Sequence, residues 1–175
     1  QGLSAQFKER TVRKTYLAVS RGEVRHTEGT LDGPIERSRS HSKKMVIAAA
    51  DEGREARTDY KVKESYDGYC LIECHPHTGR THQIRVHLAS IRLPIACDKL
   101  YGREKAIYPS TLRGEKKEPG ELPVMERHAL HAQNIRFTHP ATSKEMSFST
   151  SLPDDMSSLL KNLRKYRSRG SISGD

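Results

Sequence analysis

The alternation of apolar and polar residues predicts a β-hairpin in the first half of the chain. Residues 56–66 (ARTDYKVKESY) alternate in the manner of a half-exposed strand, and residues 69–76 (YCLIECHP) form a second run of strand type. The turn-forming pair Asp67-Gly68 lies between the two runs. The pattern therefore predicts two antiparallel neighbours in a sheet.

Four further runs predict strands on either side of this hairpin. Residues 15–22 (TYLAVSRG) are a short apolar run closed by a glycine, which is typical of a buried strand, and residues 44–50 (KMVIAAA) are a second candidate. Residues 128–140 (HALHAQNIRFTHP) and 144–151 (KEMSFSTS) are expected to form a strand pair. Residues 28–38 (EGTLDGPIERS) are rich in turn formers, and Asp32-Gly33-Pro34 predicts a turn within them.

Helical spacing begins after Thr78. Apolar side chains recur at Ile84, Leu88 and Ile91, which is the i, i+4, i+7 stripe of a helix that packs on a sheet. The stripe predicts a helix from residue 80 to about residue 92.

Two more helices and a long loop are predicted elsewhere. Residues 153–166 (PDDMSSLLKNLRKY) begin with a proline followed by two acidic residues, as helices often do. Residues 2–10 (GLSAQFKER) have the pattern of an amphipathic helix, because Leu3 and Phe7 lie four positions apart. Residues 103–123 contain three prolines and mixed charge, and they are expected to be a variable loop.

These elements predict an α+β fold in which a mixed, mainly antiparallel sheet is flanked by helices. The length of 175 residues is that of one ordinary domain, so residues 1–175 are expected to share a single core. A glycine-rich phosphate loop is absent from the sequence, which argues against a nucleotide hydrolase.

The charge of the chain narrows the choice of partners. The chain has 31 basic and 22 acidic residues, and its net charge of +9 attracts polyanions such as nucleic acid. A basic surface without a functional partner is the alternative.

Cysteine content and hydropathy predict the cellular compartment. The chain's 3 cysteines form no secreted disulfide framework, and no apolar run approaches the roughly 20 residues of a membrane helix. A soluble, cytoplasmic protein that does not bind a membrane is therefore expected.

Candidate chemistry is concentrated in the segment HTGRTHQIRVH at residues 77–87. The segment holds three histidines and two arginines, and no carboxylate occurs between Glu73 and Asp98. Such a segment is expected to face a negative partner. Arg85 lies beside the core stripe, so its guanidinium either extends to solvent or pairs with a partner from elsewhere in the chain. We expect it to be paired, because half-buried charges normally are.

Other interpretations of these residue types were weighed against this one. Zinc could bind cysteine and histidine, but Cys70 and Cys74 lie along a strand and not in the close pair of structural zinc sites, so no metal is expected. A cysteine–histidine nucleophile has no local motif here, and a thiol inside a strand is usually inert. Asp98 could be a nucleophile or a base, but it is interpreted as a turn or capping carboxylate, because the following Tyr-Gly pair indicates a chain reversal. Tyr16 is either a core aromatic or a platform for a base.

Three segments, in this order, resemble RluA-type RNA pseudouridine synthases. They are KTYLAV at residues 14–19, TGRTHQIRVHLASIRLPIACDKLYG at residues 78–102 and HALHAQNIRFTHP at residues 128–140. The resemblance covers nearly the whole chain and implies the pseudouridine synthase fold. It also implies isomerisation of uridine to pseudouridine in structured RNA, with large-subunit ribosomal RNA as the first candidate, by a monomer that needs no cofactor.

The resemblance implies roles for individual residues. Tyr16 would stand at the active site, stack against the base and relay a proton. Arg85 would pair with the catalytic aspartate, and Leu130 would pack beneath the target base. Thr81 and His82 would face the RNA near the flipped nucleotide. Arg80 would contact phosphate.

Further RNA contacts are expected from basic clusters. Residues 10–14, 37–44 and 161–169 are rich in arginine and lysine, which favours phosphate contacts. Lys14, Lys43 and Lys44 are the members singled out for RNA binding. Each cluster could instead be a solvated face, and for the last one this alternative weighs equally.

One motif of the family is missing from the sequence. The nucleophile of the resembling enzymes is an aspartate in a His-Arg-Leu-Asp motif followed by Thr-Ser-Gly, and no such motif occurs between Gln1 and Asp175. We therefore expect the domain to be truncated at its N-terminus and the 175-residue chain alone to be inactive. A non-catalytic RNA-binding module is the competing hypothesis.

Overall fold

The computed structural model describes residues 2–49 and 52–168. Numbered along the chain, its elements are α1 (Leu3–Lys8), β1 (Arg13–Arg21), β2 (Glu28–Asp32), β3 (Ile35–Arg37), β4 (Met45–Ile47), β5 (Arg57–Tyr66), β6 (Tyr69–Pro76), α2 (Gln83–Ser90), α3 (Pro109–Arg113), β7 (Leu130–Thr138), β8 (Glu145–Ser149) and α4 (Asp154–Tyr166). The main sheet has the strand order β2-β5-β6-β1-β7-β8. All of its named strand pairs are antiparallel, which confirms the predicted α+β fold.

The predicted hairpin forms the centre of the sheet. Strands β5 and β6 are joined at Asp67-Gly68, where Gly68 adopts a φ of 75° that side chains rarely tolerate. Strand β1 pairs with the other side of β6. Ala18, Val19 and Ile72 are fully buried at this junction, so the apolar runs of the sequence lie where the core is.

The turn-rich segment at residues 28–38 contains two strands that the sequence pattern does not predict, separated at Gly33-Pro34. This segment contains β2 at one edge of the main sheet and β3, which pairs with β4 in a separate two-stranded hairpin. Strand β2 is mostly exposed and strand β3 has only three residues, so neither shows the apolar alternation from which strands are predicted. Strand β4 covers only part of the predicted 44–50 run, and Ala50 lies outside the described residues.

The helix predicted for residues 80–92 is shorter than expected. Helix α2 runs from Gln83 to Ser90, because His82 adopts a left-handed conformation (φ 57°) and Arg92 does the same after its end (φ 64°). The stripe residues Ile84 and Leu88 are buried, as the spacing predicts. Residues 80–82 therefore form a loop before the helix and not its first turn.

The closing helix α4 is confirmed and supplies a second part of the core. Met156, Leu159, Leu160 and Leu163 are all buried in the cluster that includes the main sheet. The helix begins after Pro153 and carries two acids in its first turn. None of the helices within the described ranges combines the length and apolarity needed to cross a membrane.

Two expectations at the edges of the fold need correction. Residues 103–123 are not wholly irregular, because they contain the short helix α3, whose Leu112 is buried. Helix α1 is present, but Leu3 and Phe7 are 42% and 52% exposed, and its buried residue is Gln6. The amide of Gln6 bonds both the carbonyl oxygen and the N–H of Thr138, which fastens α1 to β7.

Candidate active site

A cavity of about 270 Å3 opens where β1, β6 and β7 meet the start of α2. It is lined by Lys14, Tyr16, Pro76, Thr78, Gly79, Arg80, His82, Gln83, Ile84, Arg85, His128 and Leu130. Six of the residues predicted for the site are among them: Lys14, Tyr16, Arg80, His82, Arg85 and Leu130. Residues that lie more than a hundred positions apart in the sequence thus converge on one cleft.

The sheet supplies the apolar wall of the cavity. Tyr16 pairs with Cys74 on one side and with Ala132 on the other, and Ala18 pairs with Leu130. The register between β1 and β7 shifts between Thr15 and Tyr16, which is a β-bulge. Bulges re-aim neighbouring side chains and are frequent at active sites. Tyr16 and Leu130 consequently share the face of the sheet that borders the cavity.

Arg85, which also lines the cavity, belongs to a buried ion pair. Arg85 donates from Nε to Oδ2 of Asp98 and from Nη2 to Oδ1, each at 2.7 Å. The side chain of Asp98 is 0% exposed and that of Arg85 is 13% exposed. The expectation that Arg85 is half-buried and paired is confirmed, and its partner within the described chain is Asp98.

The carboxylate of Asp98 is held by backbone amides as well as by a side chain. Besides Arg85, its Oδ1 accepts hydrogen bonds from the amides of Leu100 (3.0 Å) and Tyr101 (3.2 Å). The interpretation of Asp98 as a turn carboxylate is therefore confirmed. Burial alone would raise the pKa of Asp98, but the bonds from Arg85 and the two amides outweigh it and hold the pKa below its ordinary value. Asp98 is thus an ionised anchor, closed off from the cavity.

One lysine and two histidines of the cavity have pKa values below their usual range. Burial lowers the pKa of Lys14, whose Nζ donates to the carbonyl oxygen of Thr78 at 3.3 Å. Burial and the nearby charge of Arg85 lower the pKa of both His82 and His128. At neutral pH both imidazoles are uncharged, so the positive charge in the cavity comes from arginine and lysine.

The loop before α2 is fixed by one buried amide. Oε1 of Gln83 accepts from the hydroxyl of Thr78 (2.6 Å) and from the amide of Arg80 (3.0 Å). Its Nε2 donates to the carbonyl oxygen of Arg57 (2.9 Å) and to Oγ1 of Thr58 (3.0 Å). Gln83 therefore ties the loop at residues 78–82 to β5 and sets one rim of the cavity.

The three histidines of residues 77–87 have separate partners. His77 bonds Asp59, His82 bonds the hydroxyl of Tyr101, and His87 is buried between Thr58 and the carbonyl oxygen of Gly33. Within residues 2–49 and 52–168, no group of three histidine, cysteine or acidic side chains is arranged to hold a metal ion. The zinc alternative finds no support in this arrangement.

The remaining residues predicted to bind RNA lie around the cavity and not in it. Thr81 is exposed on the loop beside it, and Lys43 is exposed near the tip of the β3–β4 hairpin. Lys44 lies on the same hairpin with its Nζ 5.5 Å from the ring centroid of Tyr101. Arg80, in contrast to these three, lines the cavity, and its Nε donates to the carbonyl oxygen of Glu55.

Several residues of the site were not predicted from the sequence. Thr78, Gln83 and His128 line the cavity, and Tyr101 lies behind Arg85. His128 belongs to the HALHA segment, and its position two residues before Leu130 is the signal that could have identified it. The ion pair between Arg85 and Asp98 could not be predicted from residue periodicity, because it joins a helix to a turn.

Solved structures define the class of this fold. The human protein RNA Pseudouridylate Synthase Domain Containing 4 superposes with a TM-score of 0.69 at 27% identity, over 92% of this chain and 66% of that one. The human protein RNA Pseudouridylate Synthase Domain Containing 1 superposes with a TM-score of 0.65 at 26% identity, over 92% and 69%. The described fold is that of a pseudouridylate synthase domain.

Sequence comparisons identify the family. The sequence profile of RNA pseudouridylate synthases matches residues 1–90. The chain is 40% identical over 162 residues to ribosomal large subunit pseudouridine synthase D of Nitrosomonas europaea, which is 93% of this chain and 44% of that protein. It is 41% identical over 169 residues to an uncharacterized RNA pseudouridine synthase of Chlorobaculum parvum. That alignment covers 93% of this chain and 50% of that protein. The chain belongs to the RNA pseudouridylate synthase family, and it spans about half the length of these curated relatives.

Proposed function

We propose that the protein isomerises uridine to pseudouridine in structured RNA, with large-subunit ribosomal RNA as its substrate. The observation that carries the proposal is the convergence of Tyr16, Arg85 and Leu130 on one cavity, from three separate elements. The name of the relative from Nitrosomonas europaea supports ribosomal RNA as the substrate. Modification of ribosomal RNA implies a cytoplasmic enzyme, and because the cavity is built from one chain, a monomer suffices.

The chemistry sets the demands on the cavity. The bond between N1 and C1′ breaks, the base turns, a bond forms between C5 and C1′, C5 loses its proton and N1 gains one. Substrate and product are isomers, so the reaction requires no redox cofactor. The base must leave the helical stack to be turned, which calls for a pocket that holds an extruded base.

Arg85 retains donors for a second carboxylate. A guanidinium has five N–H donors, and Asp98 uses only Nε and Nη2 of Arg85. Among residues 2–49 and 52–168, Nη1 of Arg85 has no hydrogen-bond partner, and Arg85 lines the cavity. A nucleophilic aspartate bound there would be held ionised and aimed by the guanidinium. In this proposal Arg85 bridges two carboxylates, one that anchors it and one that reacts.

The apolar wall would receive the base. Tyr16 is half-buried and lies on the same face of the sheet as Leu130, so a uracil ring inserted into the cavity would contact both. The phenol of Tyr16 would stack against the ring and take part in removing the C5 proton. Leu130 would support the ring from below without competing for hydrogen bonds.

RNA would be held by the basic residues around the cavity. Lys14 and Arg80 line it, and the β3–β4 hairpin carries Lys43 and Lys44 beside it. The C-terminal cluster is less suited to this role, because Arg164 and Arg167 are bound to Glu64 and Asp67. Arg169 lies outside the described residues.

The proposal is tested by mapping pseudouridine in the ribosomal RNA of the host organism. Deletion of the gene should abolish at least one pseudouridine, and wild-type protein should restore it. Arg85→Ala and Tyr16→Phe should not restore it, whereas Arg136→Ala, which removes an exposed arginine of β7, should. Restoration by Arg85→Ala would contradict the proposed site, and an unchanged pseudouridine pattern after deletion would contradict ribosomal RNA as the substrate.

The competing function is RNA binding without turnover. In that case RNA affinity would depend on salt and on the basic clusters, and Arg85→Ala would weaken binding no more than the loss of a surface cation. An enzyme should instead lose turnover on Arg85→Ala and keep most of its RNA affinity.

A further inference from the structure

Tyr101 touches three structures that border the candidate active site, although it does not line the cavity. Its hydroxyl accepts a hydrogen bond from the amide of Met45 in β4 at 2.8 Å and lies 3.0 Å from Nδ1 of His82. The guanidinium of Arg85 lies over its ring, 5.0 Å from the centroid. A single phenol is therefore in contact with the hairpin, the loop before α2 and the buried ion pair.

The backbone of Tyr101 is held by the same carboxylate that holds Arg85. Oδ1 of Asp98 accepts from the amide of Tyr101 and from Nη2 of Arg85. The next residue, Gly102, donates its amide to the carbonyl oxygen of Asp98 at 2.8 Å, and a Cβ added at Gly102 would lie 2.9 Å from that oxygen. This close approach keeps the turn tight. The backbone position from which the Tyr101 side chain extends is therefore fixed.

The hydroxyl of Tyr101 can determine which nitrogen of His82 carries the proton. A phenol has one hydrogen and can also accept. Because the Tyr101 oxygen accepts from Met45, its own hydrogen is free to point at Nδ1 of His82. Nδ1 is then an acceptor, and the neutral ring carries its hydrogen on Nε2. Within the described chain Nε2 of His82 has no hydrogen-bond partner, so it remains available at the cavity that His82 lines.

The Met45 amide is suited to this contact because the hairpin does not use it. In the β3–β4 ladder Met45 pairs with Arg37, and the adjacent bond runs from the amide of Ser38 to the carbonyl oxygen of Lys44. The hydroxyl of Tyr101 thus satisfies a donor that points away from the ladder. Val86 of α2 and Ile35 of β3 form a small apolar cluster beside this point, with Met45 and Tyr101 packed against it.

We propose that Tyr101 is a positioning residue, which fixes the β3–β4 hairpin, the ring of His82 and the guanidinium of Arg85 relative to one another. Its effect on catalysis and on RNA rests on the proposed function, because it acts through residues assigned to that site. Its effect on the hairpin and on His82 follows from the contacts alone.

The variant Tyr101→Phe isolates the hydroxyl. It removes the bonds to Met45 and His82 but keeps the ring on which Arg85 lies, so the fold should be retained. Tyr108→Phe is the matched control, because Tyr108 also has a cation over its ring, with Nζ of Lys117 3.7 Å from the centroid. Within the described chain, the hydroxyl of Tyr108 makes no hydrogen bond.

The first readout is structural. Tyr101→Phe should accelerate hydrogen exchange of the Met45 amide about tenfold, because that amide loses its acceptor, while Val46 in the adjacent ladder pair changes little. Nitrogen NMR should show a single Nε2-protonated tautomer of His82 in the wild type and a mixture in Tyr101→Phe. Tyr108→Phe should change neither signal.

The second readout is a double-mutant cycle on RNA affinity. Lys43 is exposed on the hairpin and makes no contact with Tyr101, so Lys43→Ala reports whether the hairpin is correctly placed. In the wild type Lys43→Ala should weaken binding of a ribosomal RNA fragment about fivefold, and in Tyr101→Phe by less than about twofold. In Tyr108→Phe the effect of Lys43→Ala should remain about fivefold.

The outcomes separate this proposal from the proposed function. Unchanged Met45 exchange and an unchanged His82 tautomer in Tyr101→Phe would overturn the positioning role while leaving the enzyme hypothesis intact. If the effects of Tyr101→Phe and Lys43→Ala on RNA affinity are strictly additive, the proposed coupling of Tyr101 to the RNA contact of the hairpin is overturned. If the NMR signals move as expected but the wild type does not bind the RNA fragment, the proposed function fails and the structural role of Tyr101 stands.

Discussion

Replacement of Asp98 by asparagine should lower the free energy of unfolding by about 3 kcal/mol, the low end of the range for breaking a buried ion pair. Four N–H groups point at this side chain, from Arg85 Nε, Arg85 Nη2, Leu100 and Tyr101. Asparagine has nearly the same shape but no charge, and its amide nitrogen cannot accept. The guanidinium of Arg85 would then remain in place without its counter-ion.

The low end of the range applies because Arg85 borders the cavity. Asp98 is 0% exposed, but the Arg85 side chain retains 13% exposure, so water can partly solvate it. For a domain of this size each kcal/mol shifts the melting temperature by about 2–4 °C, so Asp98→Asn should melt about 6–12 °C lower. Urea denaturation followed by circular dichroism gives the free energy directly. Asp154→Asn, at an exposed acid of α4, is the control.

The pH dependence of the free energy of unfolding tests whether Asp98 is ionised in the folded protein. The pKa of Asp98 lies below its ordinary value in the folded protein. Its stabilising contribution is therefore present above the unfolded pKa of about 3.9 and is lost as the pH falls through the lower folded pKa. The difference between wild type and Asp98→Asn should shrink in that acidic range. A variant no less stable than Asp154→Asn at pH 7 would refute the buried ion pair.

Two further predictions concern His87 and the basic residues. Burial lowers the pKa of His87, and its Nδ1 can accept from the hydroxyl of Thr58 only while unprotonated, so stability should fall as the pH drops below about 6.5 toward the folded pKa. His87→Leu should show a smaller fall in urea denaturation between pH 7.5 and pH 5, and an equal fall would contradict this assignment. Lys43→Ala should reduce the slope of log affinity against log salt by about one unit, whereas Arg164→Ala, whose guanidinium is bound to Glu64, should leave it unchanged in fluorescence titrations with RNA. Equal slopes for the two variants would argue against the hairpin as an RNA contact.

The main strands could be predicted from the sequence because their apolar patterns coincide with burial. The β5–β6 hairpin follows from alternation on both sides of Asp67-Gly68, and α4 follows from its proline and acidic start. Strands β2 and β3 could not be predicted in this way. Strand β2 is largely exposed and strand β3 has only three residues, so tertiary pairing and not hydrophobic spacing determines their conformation.

The motifs of the candidate site could be predicted from the sequence, but the contacts between its residues could not. Tyr16, Arg85 and Leu130 stand in recognisable segments, and the fold brings them together. The helix predicted for residues 80–92 is wrong at residues 80–82, because the left-handed residue His82 precedes α2. The partners of Arg85, Gln83 and Tyr101 depend on where distant turns come to lie, which single-sequence patterns do not encode.

The most direct test of the account is release of tritium from RNA labelled at C5 of uridine, because joining C1′ to C5 must expel that hydrogen. The assay uses ribosomal RNA transcripts with the protein as its gene encodes it in full, and with its Arg85→Ala variant and the Arg136→Ala control. The account predicts release by the wild type and by Arg136→Ala and none by Arg85→Ala, while all three bind the transcript. Binding of the transcript by the wild type without any release of tritium would contradict it and would identify the protein as an RNA-binding module.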